Sequence, residues 1–114
     1  MQNPATYNIT AYQGATFKLN MTYKIDNTAV NLTGYTAAMQ VRETPSAPEA
    51  IISITSGTGI TLGGTAGTVE INIPASTMGS ANAGNYQYDL ELNSGGEIVR
   101  LLQGKFQIVA EVTR

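Results

Sequence analysis

Phe17-Lys18-Leu19-Asn20-Met21-Thr22-Tyr23 decides the fold class. Phe17, Leu19, Met21 and Tyr23 alternate with Lys18, Asn20 and Thr22, which is the period of a strand with one face on a core and one in water. Asp26-Asn27, just after it, reads as a turn. The same period recurs in Tyr35, Ala37, Met39, Val41; in Val69, Ile71, Ile73; in Tyr86, Tyr88, Leu90, Leu92; and in Phe106, Ile108, Ala110, Val112. Ile51 to Ile54 and Ile98 to Leu102 are apolar enough for two more strands, and short ones are expected at Tyr7 to Ala11 and Ile60 to Leu62.

The punctuation between these runs agrees. Asn93-Ser94-Gly95-Gly96 predicts a hairpin loop, and Gly63-Gly64-Thr65-Ala66-Gly67 another. Thr44-Pro45-Ser46-Ala47-Pro48 predicts a loop, because prolines this close do not fit a central strand. Pro74 to Met78 has room for one helical turn, and no long helical period exists. Seven to nine short strands in 114 residues predict an all-β fold: a single immunoglobulin-like antiparallel β-sandwich. With no Cys and no Trp it is not of the antibody type. The expected core is Phe17, Tyr35, Met39, Val69, Ile71, Tyr86, Tyr88, Leu90, Phe106 and Ile108. Residues 1–6 are expected to form a flexible arm that orders against a partner, and residues 7–114 the sandwich.

Composition narrows the chemistry. Lacking Cys, the chain has no disulfide, thiolate metal site or Cys nucleophile; lacking His, it has neither the commonest general base nor the commonest metal ligand. A formal charge of -2 with scattered cations (Lys18, Lys24, Arg42, Arg100, Lys105) opposes nucleic-acid binding, which needs clustered Lys and Arg. No stretch reaches the roughly 20 apolar residues of a spanning helix, so no membrane partner is expected. The amino-terminal residues lack the pattern of a secretory signal, and synthesis in the cytosol is expected. The N-x-T sequons at Asn8, Asn20 and Asn31 are then chance in a chain rich in Asn and Thr.

Asp89 and Glu91, two apart on one strand, project from the same face. Paired carboxylates can serve a glycosidase or calcium, but an outer face solvated beside Lys and Arg of a neighbouring strand is the reading preferred here. No Ser-x-x-Lys spacing activates a serine, and the Gly63-Gly64 region lacks a P-loop lysine. Catalytic, cofactor and metal residues are therefore none, and an enzyme is not expected. Interaction remains, through sheet edges or loops. The candidate interface residues are Tyr7, Tyr12, Arg42, Asp89, Glu91 and Arg100, with the loops Asp26 to Ala29, Glu43 to Ala50 and Met78 to Ala83.

An ordered set of motifs adds to this. Tyr12-Gln13-Gly14-Ala15-Thr16-Phe17 is followed by Asn31-Leu32-Thr33-Gly34-Tyr35-Thr36-Ala37 and Met39-Gln40-Val41-Arg42. Then come Gly59-Ile60-Thr61-Leu62, Gly67-Thr68-Val69, Gly84 to Leu92, Arg100-Leu101-Leu102-Gln103-Gly104 and Glu111-Val112-Thr113-Arg114. From about Tyr7 to Arg114 the chain resembles small β-sandwich virion proteins of tailed bacteriophages, of the collar type that anchors long tail fibres. A related module opens baseplate and fibre proteins. The resemblance implies a virion structural protein assembled in the bacterial host cytoplasm. It further implies a multi-copy, homo-oligomeric, tail-associated adaptor whose partners are other virion proteins. The absence of a fibre domain after Arg114 favours an adaptor that stands alone. A capsid cement protein is the alternative, and a carbohydrate-binding module, which would display exposed aromatics, is the reading from another class.

Overall fold

A computed structural model describes residues 5–112. The strands in chain order are β1 (Ala5–Thr6), β2 (Ile9–Tyr12), β3 (Phe17–Thr22), β4 (Lys24–Ile25), β5 (Thr28–Ala29), β6 (Thr36–Arg42), β7 (Ile52–Ser56), β8 (Gly59–Leu62), β9 (Thr68–Ile73), β10 (Gly84–Ser94) and β11 (Glu97–Val109). A short α-helix, α1 (Ala75–Ser80), joins β9 to β10 and turns Met78 fully inward, and a 3-10 turn, Gly64–Ala66, joins β8 to β9. The loop expected to offer Met78 as a contact residue therefore begins in the core.

The main sheet follows the path β1-β11-β10-β6-β7-β8-β9-β3, with β2 also on β11; β4 and β5 make a separate hairpin. The path is curled. Phe17 of β3 and Phe106 of β11 belong to strands far apart along it, yet their ring centroids are 5.8 Å apart in an edge-on contact. The two stretches thus face each other across one core, as the layers of a sandwich do. Tyr88 of β10 meets Phe106 in a second edge-on contact at 6.1 Å.

The expected alternation is realised most fully in β10, where Tyr86, Tyr88, Leu90 and Leu92 are buried and Gln87, Asp89 and Glu91 are not. Of the ten expected core residues, eight are buried, while Phe17 and Tyr35 pack against the core from its margin. Among the described residues no polar or charged residue is buried. Both predicted short turns use backbone angles with positive φ at two successive positions, Asp26 and Asn27 in one, Gly95 and Gly96 in the other. This is the mirror-image turn whose twist matches a two-residue hairpin. It pairs Ile25 with Thr28 and Ser94 with Glu97.

Three features depart from expectation. The sheet is mixed, not purely antiparallel: β1 and β2 run parallel to β11, and β7 runs parallel to β8. The first case arises because the chain's first strands lie against its last one, so the whole intervening domain serves as the long crossover that a parallel pair requires. Second, the runs expected separately at Ile98 to Leu102 and Phe106 to Val112 form one strand. That strand stops at Val109, where its partners stop too (Ile108 opposite Gly84, Val109 opposite Tyr12), so Val112 is left exposed. Third, Ala5 and Thr6, the last residues of the expected arm, pair with Leu102 and Gln103. Residues 1–4 of that arm lie outside the described residues.

Candidate functional site: the outer face of β6, β10 and β11

A bulge in β11 creates this face. Leu90 pairs with Leu102 and Glu91 with Arg100, so Leu101 is an extra residue opposite a regular strand. Leu101 and Leu102 are both buried. Without the bulge, Arg100 would share the inward parity of Leu102 and Phe106; one inserted residue turns it outward. There it meets the two outward carboxylates of β10. Arg100 Nε lies 3.3 Å from Asp89 Oδ2, and its Nη2 lies 3.3 Å from Glu91 Oε2.

The third strand supplies Arg42 and Gln40. Arg42 stands opposite Gln87 in the ladder, and Gln40 opposite Asp89. Arg42 Nη1 donates to the Ala47 carbonyl at 2.8 Å and Nη2 to Gln40 Oε1 at 2.8 Å. Arg42 therefore fastens the proline-containing loop over the end of β6. An open groove of about 590 Å³ runs across the three strands between Arg42, Asp89, Arg100, Gln103 and Lys105, with Asn8 at its edge.

Asp89 titrates above the ordinary carboxyl value. Partial burial is the largest cause and Glu91 adds to it, while Arg100 and Arg42 pull the other way. The direct contact to Arg100 would by itself lower the value, yet the net direction is upward. Desolvation together with a neighbouring carboxylate outweighs two partly solvated guanidinium groups. The ion pairs are half exposed, so they orient this face and add little stability.

Of the six candidate interface residues, the fold brings four together: Arg42, Asp89, Glu91 and Arg100. Tyr7 lies between β1 and β2 and Tyr12 ends β2 opposite Val109; both are exposed, and neither lines the groove. The carbonyl of Tyr7 accepts a hydrogen bond from the Tyr88 hydroxyl, whose pKa burial and the neighbouring Tyr7 push up to about 12. Gly104, opposite Tyr88, permits this crossing: a Cβ there would sit 2.6 Å from the Tyr7 carbonyl oxygen. The loop Asp26 to Ala29 is the turn and second strand of the β4–β5 hairpin.

Sequence reasoning missed Gln40, Gln87 and Gln103. The outward parity of Gln40 and Gln87 was readable, whereas Gln103 lies between two runs expected as separate strands; and an uncharged amide in a strand carries no signal of its own. The face they complete offers amide donors and acceptors between fixed charges of both signs. This suits recognition of a polar surface. Among the described residues, no three side chains of metal-ligating type gather at one place.

The fold and this face define an all-β, sandwich-like domain. No family model matches the chain, and no match is found among curated proteins.

Proposed function

We propose that this chain is a structural protein of a tailed-bacteriophage virion, present in many copies as a tail-associated adaptor or collar that anchors fibres. The reading rests on the ordered motif set from Tyr12-Gln13-Gly14 to Glu111-Val112-Thr113-Arg114, whose order and spacing we read as resembling those of small virion sandwiches. The polar groove over β6, β10 and β11 supports it as a surface able to hold another protein. Its charged groups would set orientation and register more than affinity. Multiplicity then supplies strength: identical subunits around a rigid axis turn weak single contacts into firm attachment.

Immunogold electron microscopy of intact particles, with an antibody to this chain, tests the placement. Label at the neck, tail or fibre base is expected. Label spread over the head would overturn the tail placement in favour of a cement role. Particles without label, with the protein confined to infected-cell lysate, would overturn the virion reading itself.

A further inference from the structure

Among the described residues, the sheet ends on a strand paired along one side only. In an immunoglobulin-type sandwich the first strand can flank the second on the sheet that holds it. Here β1 and β2 lie instead on β11, and β9 is the one ladder partner of β3 among the described residues. Burial records the missing neighbour. Phe17, Leu19 and Met21 pair with Ile73, Ile71 and Val69, which are at most 1 % exposed, yet all three are only partly buried. The pairing runs without a bulge from Phe17 to Thr22, and the strand contains no proline. Of the usual guards against edge pairing, it carries a single lysine, Lys18.

We propose that β3 is the docking edge for a second copy of this chain, the two β3 strands running antiparallel about a two-fold axis at Leu19. The strand is self-complementary in that register. On the core side Leu19 meets its own copy, and Phe17 meets the second copy's Met21, an aromatic–thioether contact. On the outer side Lys18 meets the second copy's Asn20, whose partner in the next strand is Glu70. Each copy's lysine is thus aligned with the other copy's carboxylate and is offset from the other lysine. The register flipped by one residue would set Lys18 against Met21 and lose both matches. The inference deepens the multi-copy reading above by naming the surface through which copies meet, but its physical basis is the β3 edge alone.

Sedimentation of the intact purified protein across a concentration series, with single-cysteine variants, tests it. The chain has no cysteine, so Leu19→Cys reports only its own contact. The expected result is a dimer whose fraction rises with concentration, and mild oxidation that doubles the mass of Leu19→Cys on a non-reducing gel. Tyr12→Cys, exposed on the other edge, should remain monomeric under the same oxidation. Lys18→Glu should lower the dimer fraction, and adding Glu70→Lys should restore it, a comparison that stands even where Leu19→Cys fails to fold. A wild type that sediments as a monomer throughout would overturn the proposal and leave particle labelling unaffected. So would a dimer that cross-links through Tyr12→Cys and not Leu19→Cys, or one indifferent to Lys18→Glu.

Discussion

At one end of the strand path two short pieces, β1 and β2, lie parallel along β11; at the other, β3 runs six residues beside β9 without interruption. The first end is irregular and fastened by side chains. Tyr88 holds the Tyr7 carbonyl, Asn8 Oδ1 accepts from the Lys105 N–H at 3.1 Å, and Gln13 donates to the Ala81 carbonyl at 2.9 Å and accepts from the Glu111 N–H at 3.1 Å. The second end is regular and relies on its ladder and on apolar contacts from the core margin. The contrast teaches that a sheet edge can be protected by irregularity. A broken strand pinned at several points is a poor template for another chain, whereas a straight strand with half-buried apolar side chains is a good one.

Phe106→Ala is the largest expected perturbation, because Phe106 is fully buried and touches both Phe17 and Tyr88. A loss of about 3–5 kcal/mol in denaturant unfolding is expected, with both ends of the path loosened together. Gly104→Ala separates the ends. Its methyl group would meet backbone at Tyr7, so a cost of about 1–3 kcal/mol is expected. Amide exchange should quicken in β1 and β2 while β3 keeps its wild-type rates. Tyr88→Phe removes only the hydroxyl bond to Tyr7, and a loss of about 1 kcal/mol confined to the same end is expected.

The smallest effect concerns the outer face. Asp89 binds its proton more tightly folded than unfolded, so its contribution to stability is fully present below the ordinary carboxyl value of 3.8 and is lost as pH rises through the higher folded value. Asp89→Asn should therefore gain stability relative to wild type as pH rises through that window and show no relative gain below it. Arg100→Gln should move the Asp89 carboxyl still higher in a carbon-detected NMR titration, since it removes a group that lowers it.

The strands that alternate strictly were legible because the fold uses their alternation unchanged, as in β10. Continuity of β11 was not. Arg100-Leu101-Leu102 breaks the period, and only the opposing strand reveals that Leu101 is a bulge. Leu32 and Met78 are buried outside the strands, where no period marks them. The parallel seating of β1 and β2 depends on contacts some hundred positions away along the chain, beyond the reach of local pattern. Of the candidate site, the two β10 carboxylates followed from parity, and the preferred reading of a basic residue on the neighbouring strand is met by Arg100. That Arg42 joins them depends on the β6–β10 register, which the sequence does not state.

Amide hydrogen exchange on the wild-type protein at two widely separated concentrations tests most directly the claim that the two edges differ. The account predicts that exchange in Phe17–Thr22 slows at the higher concentration while Ala5–Thr6 and Ile9–Tyr12 are unchanged. Concentration-independent exchange in β3, or protection that grows in β1 and β2 instead, would contradict it.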